Sequence, residues 1–145
     1  MQTRIVDILL VEDNPGDVRL TREAFKDESI PTNLHVVQDG EQAMRFLKRE
    51  DPYQDTVRPD LILLDLHLPR KNGLETLAEI KNDPDLRAIP VIMLTTSKSD
   101  EDIMRSYDLH ANCFVTKPLD MGQFIHTVEM IKKFWIMHAM LLSDE

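Results

Sequence analysis

A chain of 145 residues has the length of one domain and can bury a sizeable core. Its formal net charge of −9 argues against nucleic acid as a partner, because phosphate backbones call for clustered cations. The single cysteine, Cys113, excludes an internal disulfide and a cysteine-based zinc cluster, and no signal-peptide pattern or membrane-length apolar run is present, so the cytoplasm is the expected compartment and no membrane partner is expected.

Residues 4–11 read as a first strand, because Ile8-Leu9-Leu10-Val11 is a short, continuous aliphatic run of the kind buried on both faces of a sheet. That run ends in the acidic pair Glu12-Asp13. Asn14-Pro15-Gly16-Asp17 then opens a helix. Asn14 can cap it, Pro15 suits its first position, and Asp17 adds negative charge where the helix dipole favours it. Val18, Thr21, Ala24 and Phe25 share one face, and Ser29-Ile30-Pro31-Thr32 breaks the helix. Residues 34–37 form a short second strand, and Asp39-Gly40 reads as a turn. Ala43, Phe46 and Leu47 mark a second helix by their spacing. Residues 49–60 are polar, contain Pro52 and Pro59, and read as a loop that is long for a helix-to-strand connection.

Leu61-Ile62-Leu63-Leu64 repeats the pattern of the first strand and ends in Asp65. A loop through Gly73 leads to a third helix on Leu74, Leu77 and Ala78, which Asp83-Pro84 ends. Residues 90–94 form a fourth strand that finishes at Thr95-Thr96-Ser97. Ser99-Asp100-Glu101-Asp102 opens a fourth helix, with Ile103 and Tyr107 on its apolar side. Residues 113–116 form a fifth strand, followed by Lys117-Pro118. A last helix runs over about residues 120–138 with Met121, Phe124, Val128, Ile131 and Trp135 as one apolar stripe. Five strands alternating with five helices predict an α/β fold, a parallel sheet covered by helices on both faces.

In open α/β sheets the ligand site lies beyond the carboxyl ends of the strands. Those ends carry Glu12, Asp13, Asp65, Thr95 and Lys117. Crowded carboxylates repel one another, and an all-oxygen acidic site suits a hard cation such as Mg²⁺. Such a cation and Lys117 can also offset the charge of an incoming phosphoryl group, to which Thr95 can donate a hydrogen bond. Asp65 is left as a nucleophile, and a carboxylate attacking phosphorus gives an acyl phosphate.

Leu10-Val11-Glu12-Asp13-Asn14, the stretch from Leu63-Leu64-Asp65 through Lys71-Asn72-Gly73, Leu94-Thr95-Thr96 and Lys117-Pro118 together resemble a response-regulator receiver domain, over the chain to about residue 135. The resemblance implies a doubly wound, flavodoxin-like (βα)5 sheet in the order 2-1-3-4-5. It implies Asp65 as phosphoacceptor and Asp13 as a direct ligand of Mg²⁺ or Mn²⁺. Glu12 would bind directly or through water, and the backbone carbonyl of His67 would be a further ligand. Thr95 corresponds to the switch hydroxyl and Phe114 to the switch aromatic. Lys117 corresponds to the phosphate-contacting lysine, and its bond to Pro118 is expected to be cis. Thr96 stands where a smaller residue is common and would narrow the space beside the phosphoryl group. The His67 side chain is expected to flank that group together with Ser97. His35, His110, His126 and His138 read as structural or solvated.

More narrowly, the loop at residues 49–60, the Ser106-Tyr107-Asp108-Leu109-His110 stretch with Asn112-Cys113, and Phe134-Trp135 are similar to receiver-only regulators that partner phytochrome-type sensor histidine kinases. This implies one receiver domain over residues 1–145, with its core at about 4–138 and no effector domain. It also implies regulation by phosphorylation rather than steady enzymatic turnover, and a downstream protein target met through the fourth helix, fifth strand and last helix. On the last helix, Met130, Phe134, Met137 and Leu141 lie off the core stripe and suggest a homodimer face. Three rival classes remain at this point. An aspartyl-phosphate phosphohydrolase usually carries a second Asp two residues after the nucleophile, where His67 stands here. A flavin or nucleotide module would need a phosphate-cradling glycine loop, and glycine is scarce. A receiver-like scaffold that works without phosphorylation would not need the complete acidic, Thr and Lys set.

Overall fold

The computed structural model describes residues 5–26, 31–95, 113–116, 121–131 and 133. Five strands, β1 (Val6–Val11), β2 (Thr32–Val37), β3 (Leu61–Asp65), β4 (Val91–Thr95) and β5 (Cys113–Thr116), form one sheet in the order β2-β1-β3-β4-β5. Every neighbouring pair is parallel. The order reverses between β1 and β3, so the crevice expected for a ligand opens where those two strands end. The described helices are α1 (Pro15–Ala24), α2 (Gly40–Leu47), α3 (Gly73–Asn82) and α4 (Met121–Ile131). The fourth predicted helix, starting at Ser99, lies outside the described residues, as does Lys117-Pro118.

The central strands β1, β3 and β4 are largely apolar because both faces are covered, whereas the edge strand β2 mixes polar and apolar residues. On one face Leu9, Val11, Ile62, Leu64 and Met93 pack with Ala43, Phe46 and Leu47 of α2 and Leu77 and Ile80 of α3. On the other, Ile8, Leu10, Leu63 and Ile92 pack with Ala24 and Phe25 at the end of α1 and with Val128 and Ile131 of α4. Val128 and Ile131 belong to the stripe expected on the last helix, whereas Met130 is exposed. Among the described residues no helix is long and apolar enough to cross a membrane.

Local chemistry fixes where the helices begin. The Asn14 side chain accepts a hydrogen bond from the Asp17 amide at 3.1 Å, with Pro15 in the first turn of α1. Asn72 and Glu75 form a reciprocal capping box at the start of α3. Several expected boundaries shift. Asp39-Gly40 is not a free-standing turn: Asp39 caps α2 through the Gln42 amide at 2.8 Å, and Gly40 is its first helical residue. Gly73 likewise opens α3 instead of ending the loop before it. Strand β2 starts two residues before the apolar run, at Thr32, because the register Val6↔Thr32 extends its pairing with β1. Strand β4 gains Thr95, which is in register with Thr116.

Candidate metal and phosphoryl site

Two strands, β1 and β3, deliver the acidic cluster. Strand β1 ends at Val11, paired to both Val37 of β2 and Leu64 of β3, and the next two residues are Glu12 and Asp13. The Glu12 amide donates to the Val37 carbonyl at 3.0 Å, which carries the sheet pairing one residue further and turns the Glu12 side chain inward. Glu12 is only 1 % exposed, and one of its carboxylate oxygens accepts from the Asn14 amide at 3.3 Å. Asp13 is exposed at the mouth of the crevice. Asp65, 3 % exposed, is the last residue of β3 and is in register with Leu94 of β4.

Carboxylate oxygens of Glu12, Asp13 and Asp65 lie within 4.8 Å of one another. Two of these three carboxylates are almost completely buried. Bringing like charges together out of water is costly unless a cation joins them. The donors are all hard oxygens, so the set fits Mg²⁺ or Mn²⁺ and not a soft, thiolate-seeking metal.

The loop after β3 is held by its backbone. The Leu66 amide donates to the Leu94 carbonyl at 3.0 Å, and the Gly73 amide donates to the Leu66 carbonyl at 3.0 Å. A Cβ at Gly73 would stand 2.3 Å from the Asp65 carbonyl oxygen and 2.8 Å from Leu66 Cα, so only glycine lets the start of α3 approach the end of β3 this closely. His67 lies in this loop with its side chain exposed.

The structure therefore brings together Glu12, Asp13 and Asp65. Thr95 closes β4, the strand next to β3, and Phe114 is in register with Met93 inside β5. Lys117, Thr96 and Ser97 lie outside the described residues, as do Phe134, Met137 and Leu141 of the expected dimer face. One participant in this neighbourhood had no signal in the sequence beyond a turn-like dipeptide. The Gly40 amide donates to the Lys71 carbonyl at 3.1 Å, joining the start of α2 to the loop that follows Asp65. His35, read as structural, sits away from the site, 3.0 Å from Asp7 and with its ring against Phe46.

The family model of the response regulator receiver domain matches residues 8–129 of the chain. The response regulator Rcp1 of Synechocystis sp. is 47 % identical over 129 residues, covering 89 % of this chain and 88 % of that protein. Among solved structures, the phosphorylated cyanobacterial phytochrome response regulator RcpA superposes with a TM-score of 0.86 at 48 % identity, over 92 % of this chain and 95 % of that one. The Mn²⁺-bound form of Rcp1 superposes with a TM-score of 0.82 at 47 % identity, over 90 % of this chain and 94 % of that one.

Proposed function

The chain belongs to the response regulator receiver domain family, and from that membership we propose that Asp65 accepts a phosphoryl group from a sensor histidine kinase of the phytochrome type. The observation that carries this reading is the convergence of Glu12, Asp13 and Asp65 at the carboxyl ends of β1 and β3. Glu12, Asp13 and Asp65 would hold Mg²⁺ or Mn²⁺, with the His67 carbonyl as a further ligand. The bound cation would neutralise crowded negative charge and stabilise the oxygens of the transferring group.

The chain's own residues then have distinct tasks. An Asp65 carboxylate oxygen attacks phosphorus, the bond from phosphorus to the kinase imidazole breaks, and the departing imidazole takes up a proton. Lys117 would pair with the new phosphoryl oxygens and Thr95 would donate a hydrogen bond to them. That bond would draw Thr95 inward, and Phe114 would occupy the space it leaves. The result is a shift in a two-state equilibrium on the face that includes β5 and α4. A downstream protein would read that face, and a second copy of the chain would meet it through Met130. The same site would assist loss of the phosphoryl group to water, returning Asp65 to a carboxylate.

The test is phosphotransfer from a purified, autophosphorylated kinase of this type to the wild-type chain and to Asp65→Asn. Transfer to the wild type that needs Mg²⁺ and is lost in the variant is expected. Equal transfer to both would overturn the assignment of Asp65.

A further inference from the structure

The loop between β3 and α3, residues 66–72, joins Asp65 to α3 and contains His67. Two of its backbone tethers come from its own neighbours, β4 through Leu94 and α3 through Gly73. A third comes from a helix distant in sequence: the Gly40 amide at the start of α2 donates to the Lys71 carbonyl at 3.1 Å. The fit is tight. A Cβ on Gly40 would stand 2.1 Å from Thr76 Oγ1, 2.5 Å from the Lys71 carbonyl oxygen and 2.8 Å from Lys71 Cγ. Neither oxygen is free to give way. Thr76 is fully buried, and its hydroxyl already donates to the Asn72 carbonyl at 2.7 Å, while the Lys71 oxygen is backbone. Beside this contact, Arg70 holds a left-handed φ of 62°, and its guanidinium lies 3.8 Å from the buried carboxylate of Asp39, the α2 cap.

We propose that Gly40 is a positioning residue for the divalent-cation site: by donating its amide to the Lys71 carbonyl at a distance no Cβ would allow, it lets the start of α2 set where the loop carrying the His67 carbonyl rests. The inference rests on the metal site described above and extends it to a glycine that touches neither cation nor phosphate. Its physical basis is the difference between ions. Mg²⁺ and Mn²⁺ need closely defined ligand positions, whereas Ca²⁺ accepts flexible geometry. A loop pushed off its seat would therefore lose the smaller ions more than Ca²⁺.

The experiment measures binding of Mn²⁺ by electron paramagnetic resonance, and of Mg²⁺ and Ca²⁺ by calorimetry, to the full chain, Gly40→Ala, Asp39→Ala and Val6→Ala. Val6→Ala opens a cavity at the opposite end of β1 and serves as the control for lost stability alone. Gly40→Ala is expected to weaken Mn²⁺ and Mg²⁺ by about tenfold, the usual scale for groups that orient a metal ligand, and Ca²⁺ by less. Asp39→Ala, which loosens the start of α2 without adding a clash, is expected to shift the same ratio in the same direction. It decides the matter if Gly40→Ala does not fold. Unchanged Mn²⁺ affinity in the folded variants, or a loss no greater than that of Val6→Ala with the Mg²⁺-to-Ca²⁺ ratio preserved, would overturn the proposal. Failure of the wild type to bind any of these ions would instead overturn the metal site itself, and the role of Gly40 with it.

Discussion

Glu12 and Asp65 end two different strands, β1 and β3, yet their carboxylate oxygens lie within 4.8 Å of one another and both side chains are almost fully buried. Parallel pairing makes this unavoidable. Val11 is in register with Leu64, so the residues that follow them must emerge at the same edge of the sheet. The fold thus concentrates negative charge where an apolar core would otherwise close.

This charge has a measurable cost. Two like charges within 4.8 Å repel by roughly 3 kcal/mol at an effective dielectric of about 20. Without metal, Asp65→Asn is expected to be more stable than the wild type by about 1–3 kcal/mol, because it removes one charge and keeps the shape of the side chain. Adding Mg²⁺ to about a hundred times its dissociation constant should stabilise the wild type by about 2.7 kcal/mol, by mass action, and the variant by much less. Denaturant melts with EDTA and with Mg²⁺ measure both effects. A variant less stable than the wild type in EDTA would contradict the charge argument.

Most of the frame of this site was legible in the sequence, for a physical reason. Strands buried on both faces are uninterrupted aliphatic runs, so carboxylates that end them stand out, and Glu12, Asp13 and Asp65 are all found at such ends. The cap at Asn14 follows from residue type alone, whereas Asn72, read as part of a loop, caps α3. The Gly40–Lys71 contact was not legible, because it joins α2 to a loop some thirty positions away through backbone groups that every residue possesses. Asp39-Gly40 looks like a turn in isolation, but the Asp39 side chain accepts from the Gln42 amide and makes the pair the start of α2. Thr32 and Thr95 are polar residues added to strands by ladder pairing with their neighbours.

Lys81 gives a pH signature unrelated to the metal. Its ammonium reaches from α3 to the Arg87 and Ile89 carbonyls, both at 3.0 Å, and burial lowers its pKa from the ordinary lysine value of 10.5. The unfolded chain therefore holds this proton more tightly than the folded one. Stability should rise as pH climbs from the lowered value toward 10.5. In Lys81→Met that alkaline component should vanish from the difference between the two stability profiles. Profiles that run parallel through this range would show that burial does not act on Lys81 in this way.

His67 extends from the loop after Asp65 with its side chain exposed. A side chain two residues after Asp65, the proposed acceptor, can admit or exclude the water that hydrolyses an acyl phosphate. His67→Ala is expected to change the first-order rate of dephosphorylation by roughly a factor of ten, equivalent to about 1.4 kcal/mol in the barrier, with little change in Mg²⁺ affinity. The decay of labelled protein after kinase removal measures it. An unchanged half-life would remove His67 from the account.

Met130 is 55 % exposed on α4, beside the buried Val128 and Ile131. If this position faces a second copy, Met130→Lys should raise the dimer dissociation constant by at least about tenfold, since a desolvated charge in an apolar contact costs more than 1.4 kcal/mol. Sedimentation equilibrium with and without phosphorylation reads the change. A wild-type chain that stays monomeric at high micromolar concentration in both states would exclude the dimer.

The central claim, that Asp65 is the phosphoryl acceptor of a metal-assisted site, is tested most directly by intact-mass spectrometry after incubation with acetyl phosphate and Mg²⁺. The wild type should gain the mass of one phosphoryl group that hydroxylamine removes, as expected of an acyl phosphate, and lose that gain when EDTA replaces Mg²⁺ or Asn replaces Asp65. A phosphoryl group of the same lability on Asp65→Asn, or full labelling of the wild type in EDTA, would contradict it.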